Sequence, residues 1–245
     1  MTFECFLCLI GGIMSNLATR LYDDFIYQKR YLYLVQGLGN TVLITIFALV
    51  IGVILGFAVA LIRVRYAREE KPGFLLKVLN LLSGIYLTVI RGTPIVVQLM
   101  IMYFVILASG APLLIAILSF GINSGAYVAE VVRSGIQSID RGQTEAGRSL
   151  GLSGTQTMIH IILPQAFKNV APAIFNEFIA LLKETSVAGY VGIQDLTKGG
   201  DIIRSITYDA FPPLLAVAMV YLILVIFLTQ ILHQIERRLA KSDLR

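Results

Sequence analysis

Residues 35–62 form an apolar stretch without a charged side chain, and Arg63 follows it directly. A helix needs about 20 apolar residues to cross the hydrocarbon core of a bilayer. In that core every backbone N–H and C=O must be satisfied within the protein, which a helix achieves by itself. The stretch therefore predicts a membrane-spanning helix. Within it, Gly52 and Gly56 have the spacing that lets a second helix approach closely, although the same glycines also fit a lipid-facing helix.

The composition of the whole chain extends this prediction. Of the 245 residues, 57% are hydrophobic and 14% are charged, and the mean hydropathy is +0.80. A soluble domain carries about 25% charged residues, so these values predict an all-α integral membrane protein. The net charge of +5 comes from basic residues beside the apolar stretches. Nucleic-acid binding needs basic residues gathered on one folded face, so no nucleic-acid partner is expected.

Four further apolar segments bring the prediction to about five transmembrane helices, at residues 94–107, 113–132, 164–182 and 213–233. Residues 74–90 are also apolar but carry Lys77, Asn80 and Ser83, which predicts a helix along or dipping into the cytoplasmic face. The alternative is that residues 74–90 span the membrane themselves. That would reverse the direction of everything downstream.

The distribution of charge predicts the orientation. Base-rich segments follow the first span, the third span and the last span, whereas residues 184–209 contain four acids and only two bases. Cytoplasmic loops are enriched in lysine and arginine. Five spans place the three base-rich segments on one side, so we expect the N-terminus outside and the C-terminus in the cytoplasm. Residues 241–245 would be a cytoplasmic tail near anionic lipid.

Residues 1–34 form an N-terminal extension to which the sequence assigns no role. Its apolar run, residues 5–14, is too short to span and lacks the flanking pattern of a signal peptide. Cys5 and Cys8 have the spacing of a metal-binding pair, but no second pair or nearby histidine accompanies them. We expect both to be plain apolar residues.

The sequence offers little chemistry of its own. It contains no phosphate-binding GxxxxGK[ST] loop, only two histidines, and no HExxH or GxSxG pattern. We therefore expect a protein that is not an enzyme and that binds no cofactor or metal itself.

The segment from residue 138 to residue 160 is polar and punctuated by glycines, yet it lies between two apolar helices. Asp140 or Thr144 can cap a helix start, Glu145 would lie in its first turn, and Gly151 is a natural stop. Pro164 marks the first turn of the next membrane helix. These features predict a short helix on the membrane surface, tied rigidly to two spans, which is the shape of a part that receives force from a partner.

Four motifs carry a family resemblance. Glu145-Ala146-Gly147, followed by Gly151 and then by Ile161, Leu163 and Pro164, resembles the EAA loop of ABC importer permeases, with Gly147 where the family often has alanine. The segments 91–94 (RGTP), 123–136 (NSGAYVAEVVRSGI) and 183–186 (KETS) resemble the polar amino acid uptake subgroup. The resemblance covers roughly residues 35–240, and it implies a type I ABC importer-permease domain with a coupling loop at 138–160.

The resemblance also implies partners and a location. A second permease subunit, identical or paralogous, would share the pathway, an external solute-binding protein would deliver an amino acid, and two cytoplasmic ATPase subunits would bind ATP and Mg²⁺. The protein would cross the bacterial inner membrane several times and work by alternating access. The residues expected to couple to the ATPase are Glu145, Ala146, Gly147, Gly151, Leu152 and Pro164.

Polar side chains inside the spans are the candidates for a substrate path, because burying them in a bilayer is costly. In the third span they recur on one helical face, and in the fourth span two pairs recur seven residues apart. The predicted path residues are Asn123, Tyr127, Glu130, Asn176, Glu177, Glu184, Thr185 and Ser186.

Other interpretations of the same residues stay open. The polar groups can instead hydrogen-bond between helices as packing contacts, and Glu130 can pair with Arg133. Arg91 is expected to be an arginine whose charged end reaches the membrane interface. A competing functional class is an ion-coupled transporter or channel that uses the intramembrane carboxylates, and a third is a membrane scaffold without transport. Dependence on an ATPase partner separates the importer from both.

Overall fold

The computed structural model describes residues 18–242, so the interpretation of Cys5 and Cys8 and most of the predicted tail lie outside the described residues. From Tyr31 onward the α-helices are α1 (Tyr31–Arg68), α2 (Phe74–Arg91), α3 (Ile95–Ile101), α4 (Pro112–Gln137), α5 (Arg141–Ser149), α6 (Gly154–Thr157), α7 (Leu163–Glu184), α8 (Leu196–Thr207) and α9 (Phe211–Ser242).

Shorter helical turns extend or join several of these helices. A π-helical turn, Met102–Ile106, extends α3, and a second one, Met158–Ile162, joins α6 to α7. A 3₁₀ segment, Thr185–Val191, follows α7. Five helical runs are long and apolar enough to span a membrane: Tyr31–Arg68, Phe74–Arg91, Pro112–Gln137, Gly154–Val191 and Phe211–Leu239. An all-helical membrane fold with about five spans is thereby confirmed.

The predicted second span, residues 94–107, is wrong in its extent. In this region α2 is long and apolar enough to be a candidate membrane span, whereas the helical run Ile95–Ile106 is too short to be one by itself. Leu87 of α2 packs near Val59, whereas Leu99 of α3 packs in the same cluster as Ile44, much earlier on α1. The two helices are therefore stacked end to end along α1, and together they form one crossing that is interrupted between Arg91 and Ile95.

This arrangement also argues against the alternative in which residues 74–90 cross the membrane as a separate span and so invert the direction of every later span. α1 and α4 run in the same direction, because Ile44 clusters with Phe120 while Val64 clusters with Val132. α2 and α3 both run antiparallel to α1 and α4, so the chain does not change direction between α2 and α3. We call the end of the bundle that contains Arg68 and α5 the basic end.

The fourth span starts earlier than predicted. Pro164 was expected to open it, but the helical run begins at Gly154 and passes through the π-helical turn. The α-helical hydrogen-bond pattern restarts at Leu163, so Pro164 lies in the first turn of α7. A missing N–H removes no α-helical bond at that position, which is why the proline does not end the helix.

Two glycines let α1 and α4 approach closely. A Cβ atom built on Gly52 would lie 2.9 Å from the Ser124 hydroxyl, and one on Gly56 would lie 2.6 Å from Cγ1 of Val128. Both distances are shorter than ordinary contacts, so the glycines are required for this interface. The closeness predicted for a GxxxG pair is what the structure shows.

At the end opposite the basic end, α8 docks against the first turns of α1. The Thr41 hydroxyl accepts from the backbone N–H of Leu196 at 3.1 Å, and the Asn40 amide donates to the Gln194 carbonyl at 2.8 Å. Asp195 caps α8 by accepting from the N–H groups of Thr197 and Lys198 at 3.1 and 3.0 Å. This docking fixes the chain between the fourth and fifth spans.

Candidate functional site

The segment between α4 and α7 contains a helix that is capped at both ends. The Asp140 carboxylate accepts from the Gly142 N–H at 2.6 Å and so begins α5. Gly151 ends it with a φ of +83°, a left-handed conformation that suits glycine. The N–H of Leu152 donates to the Gly147 carbonyl at 3.1 Å and that of Gly151 to the Arg148 carbonyl at 3.0 Å, which is the Schellman arrangement.

The next helix begins immediately. Ser153 and Gln156 form a capping box, in which each side chain bonds to the other residue's backbone N–H, at 3.2 and 2.8 Å. Two successive caps with one residue between them leave little freedom between α5 and the membrane helix that follows. The caps therefore fix the position of α5 relative to α6 and the start of α7.

The buried face of α5 explains the glycine in its third motif position. A Cβ on Gly147 would lie 2.8 Å from Cγ2 of Thr157 and 3.0 Å from Cδ1 of Ile161. In this chain the larger neighbours thus occupy the space that an alanine would need. The opposite face is open, since Glu145, Ala146 and Leu150 are exposed, while Leu152 is half-buried.

A cleft of about 1020 Å³ opens between α2 and α4 near the basic end. Its charged lining residues are Arg63, Arg91, Arg133 and Glu130, with Asn80 and Thr88 as neutral polar neighbours. Three positive charges thus face one negative charge. Because this excess attracts a carboxylate, the cleft is suited to a ligand that carries one.

Glu130 is the centre of this charge cluster. Its carboxylate accepts from Nε of Arg133 at 3.0 Å and from the same guanidinium's Nη2. Nη1 of Arg91 lies 3.9 Å from Oε2 of Glu130, and the Arg91 guanidinium lies 5.7 Å from the centre of the Tyr127 ring. Tyr127 and Glu130 are therefore brought together, as their helical spacing predicted, and the pairing with Arg133 proposed as an alternative is also present.

The interruption between α2 and α3 has its own network of hydrogen bonds. The Gln98 amide nitrogen lies 2.7 Å from the Ile90 carbonyl and 3.0 and 2.8 Å from the carbonyl and hydroxyl oxygens of Thr93. The Thr93 hydroxyl donates to the Val89 carbonyl at 2.8 Å. The Gln98 oxygen accepts from the Asn123 amide at 3.0 Å. Asn123 is buried in this contact and does not line the cleft.

The predicted path residues of the fourth span lie elsewhere on the bundle. Glu177 accepts from the hydroxyl of the buried Ser124 at 3.0 Å, which links α7 to α4. Asn176 is exposed, and Glu184 and Ser186 are half-buried. Thr185 is buried and donates to the Leu182 carbonyl at 2.8 Å. These residues do not join the lining of the cleft at Glu130, and their role in a path stays a prediction.

Sequence reasoning missed the contacts of two residues, of which Arg91 lines the cleft and Gln98 lies at the interruption next to it. Arg91 was interpreted as an interfacial arginine, but its guanidinium faces Tyr127 and Glu130. Its position three residues before Pro94, at a helix break, was the available signal. Gln98 received no role, although an amide in an apolar run is costly to bury unless it is hydrogen-bonded.

The described part of the chain is an apolar helical bundle in which a helix capped at both ends lies between two candidate spans. Residues 73–241 match the family described as binding-protein-dependent transport system inner membrane component. The chain belongs to this family, and it is a multi-pass protein of the inner membrane.

Individual relatives agree with this assignment. The arginine transport system permease protein ArtQ of Bacillus subtilis (strain 168) is 36% identical over 220 residues, covering 86% of this chain and 94% of the relative. The putative glutamine transport system permease protein GlnP of Rickettsia bellii (strain RML369-C) is 36% identical over 225 residues, covering 88% and 97%. The L-cystine transport system permease protein TcyB of Bacillus subtilis (strain 168) is 33% identical over 228 residues, covering 91% and 94%.

Solved structures support the fold. A chain of a crystallised amino acid ABC transporter with histidines superposes with a TM-score of 0.78 at 37% identity, covering 87% of this chain and 98% of that chain. A chain of the MetNI methionine ABC transporter, in an inward-facing conformation, superposes with a TM-score of 0.72 at 24% identity, covering 84% and 96%, and so supports the fold alone. The predicted importer-permease fold and the resemblance to amino acid permeases are confirmed.

Proposed function

We propose that this chain is the permease subunit of an ATP-driven, binding-protein-dependent amino acid importer. Two permease subunits, identical or paralogous, would form the path, and an external solute-binding protein would deliver the substrate. Two ATPase subunits in the cytoplasm would bind ATP and Mg²⁺. The single observation that carries the proposal is α5, which is capped at both ends and leaves Glu145, Ala146 and Leu150 exposed.

The basic end would face the cytoplasm. Three base-rich regions lie there: the end of α1 with Arg65 and Arg68, the region of Arg133 to Arg148, and the end of α9 with Arg237 and Arg238. The positive-inside rule supports this orientation. It places the loop of residues 138–160 where an ATPase can reach it.

α5 would be the element that couples ATP hydrolysis to transport. Glu145 is exposed and can make a charge-assisted contact to a basic group of the ATPase. Ala146 and Leu150 add apolar surface beside it, and Leu150 is 81% exposed. When ATP closes the ATPase pair, the two α5 helices would move together. The caps at Gly151 and Ser153 would pass that movement to α7, and the spans would alternate between outward- and inward-facing states.

The cleft at Glu130 would recognise the amino acid backbone. The Arg91 guanidinium lines the cleft 3.9 Å from Glu130, and its donors suit an α-carboxylate bound beside that pair. Glu130 would attract the α-ammonium, and the Tyr127 ring would pack against the substrate. The excess positive charge of the cleft favours substrates with a neutral or acidic side chain over basic ones. The residues Asn176, Glu177, Glu184, Thr185 and Ser186 would line the outer part of the path.

Transport by the reconstituted complex tests this proposal. The permease would be purified with its ATPase, inserted in proteoliposomes and supplied with the binding protein and radiolabelled amino acids. Uptake should require ATP on the side of the membrane where the ATPase subunits lie. Arg91→Met should abolish most uptake while the complex still assembles. Arg65→Met removes an exposed arginine paired with Glu69 at the same end of the bundle and should leave uptake unchanged.

Two results would contradict the proposal. Uptake that continues without ATP or the ATPase but follows a proton or sodium gradient would favour the ion-coupled class. Equal uptake by wild type and Arg91→Met would remove the cleft from the path.

A further inference from the structure

The side chain of Gln98 bridges the interruption between α2 and α3. The amide nitrogen of Gln98 reaches back to the carbonyls of Ile90 and Thr93 and to the Thr93 hydroxyl, at 2.7 to 3.0 Å. The last carbonyls of a helix need partners outside it, and Pro94 supplies no N–H. Gln98 thus takes the place of the missing backbone donors and fixes the angle at which α2 ends.

The oxygen of the Gln98 amide connects the interruption between α2 and α3 to α4. The Gln98 oxygen accepts from Asn123, whose side chain is 3% exposed. Asn123 lies one helical turn before Tyr127 and two turns before Glu130 on α4, while Ile90 is the neighbour of Arg91. The pair therefore connects the backbone that carries Arg91 to the helix that carries the two residues facing it.

The hydrogen bond between Gln98 and Asn123 is not required to hold α2 against α4. Tyr86 donates to the Ile122 carbonyl at 2.6 Å, and Leu87 packs with Ala126 and Ala129, so these contacts attach α2 independently of Gln98. A buried amide such as that of Asn123 is a costly way to pack helices, because it must find its hydrogen-bond partners, and here its partner is the half-buried Gln98. The hydrogen bonds of Gln98 and Asn123 instead fix the backbone next to Arg91 relative to α4.

We propose that Gln98 and Asn123 are a positioning pair that sets the distance of the Arg91 guanidinium from Glu130 and thereby the affinity of the cleft for an amino acid. The inference rests on the proposed function, because it assumes that this cleft binds the substrate. Gln98 and Asn123 act through Arg91 and do not touch the ligand. Disrupting either one lets the end of α2 tilt, and Arg91 then no longer lies where it can bind the carboxylate.

The test measures binding directly, in the absence of the binding protein. The detergent-purified complex of permease and ATPase would be titrated with radiolabelled L-glutamine and L-arginine. Gln98→Leu and Asn123→Ala should each raise the dissociation constant about tenfold, because a displacement of about 1 Å at a binding group has effects of this order or larger. Asn123→Ala keeps the three contacts of Gln98 to the break, so it remains informative if Gln98→Leu does not fold.

Ser119→Ala is the matched control on the same helix. The Ser119 hydroxyl is buried like Asn123, but it donates only to the Ile115 carbonyl of its own helix, at 2.7 Å. This variant should bind as the wild type does. A positioning role also predicts that Gln98→Leu causes no further loss in an Arg91→Met background, whereas a general packing defect would weaken binding there as well.

The outcomes separate the two claims. Failure of the wild type to bind either amino acid, or unchanged binding by Arg91→Met, overturns the proposed cleft and this inference with it. Weak binding by Arg91→Met together with normal binding by Gln98→Leu or Asn123→Ala overturns the positioning pair alone. Additive losses in the double variant of Arg91 and Gln98 would likewise overturn it.

Discussion

Replacing Gly56 by alanine tests the packing that supports the cleft. The added Cβ would lie 2.6 Å from Cγ1 of Val128, 2.7 Å from its Cβ and 2.9 Å from the backbone nitrogen of Ala129, where ordinary contacts begin at 3.4 Å. α1 and α4 must therefore separate by 3.4 − 2.6 = 0.8 Å at this point. A gap of this size forfeits about a quarter to a half of the dispersion energy of the facing atoms.

The expected cost is about 1–3 kcal/mol, the usual range for overpacking a well-packed interior. In a chain of this length about 1 kcal/mol corresponds to about 2–4 °C in Tm. We therefore expect the apparent Tm of the detergent-purified protein, followed by retention of a monodisperse peak after heating, to fall by several degrees. Substrate binding should fall as well, because Tyr127 and Glu130 lie on the displaced helix.

Gly39→Ala is the matched control on the same helix. Nothing lies within 4 Å of the Cβ position of this exposed glycine, so the change should be neutral or slightly stabilising. Equal apparent Tm values for the two variants would refute the argument that Gly56 is required by the contact between α1 and α4.

Three further predictions concern other parts of the chain. Gly151→Ala places a Cβ at a φ of +83° and should lower the free energy of unfolding by about 1–2 kcal/mol. Gly154→Ala, at a position with open space and no positive φ, should change it little. Equal heat stability of the two variants would contradict this. Burial raises the pKa of the Asp195 carboxyl above its usual 3.8, so the folded state holds this proton more tightly than the unfolded state. Stability should therefore fall as the pH rises from about 3.8 through the raised folded pKa, and Asp195→Asn, which keeps the capping oxygen, should abolish that part of the pH dependence of the apparent Tm. Glu184→Gln should change substrate affinity or charge preference in uptake assays; unaltered uptake of every amino acid tested would remove Glu184 from the path.

Local chemistry made several features predictable from the sequence. The start of α5 at Asp140 and its end at Gly151 follow from side-chain capping and from the left-handed conformation that glycine adopts readily. The close approach of α1 and α4 at Gly52 and Gly56 follows from the absence of side chains there. The capping signals lie within a few residues of the helix ends that they specify, whereas the two glycines indicate a close approach without saying which helix makes it.

Features that depend on distant contacts were not predictable in the same way. Hydropathy treats residues 74–90 and 94–107 as separate segments, because the break at Arg91 to Pro94 interrupts the apolar pattern. Only contacts with α1 and α4 show that α2 and α3 form one crossing. The bond between Gln98 and Asn123 joins residues 25 positions apart, and no helical periodicity points to it.

The central claim is that α5 engages an ATPase, and co-purification tests it most directly. The tagged permease would be co-expressed with the ATPase encoded beside it and compared with a Glu145→Lys/Gly151→Ala double variant. Glu70→Lys, with the same change of charge at an exposed position between α1 and α2, is the control. Wild type and Glu70→Lys should retain the ATPase, while the double variant should lose it and still insert in the membrane. Normal insertion of the wild type without any captured ATPase, or equal capture by the double variant, would contradict the account.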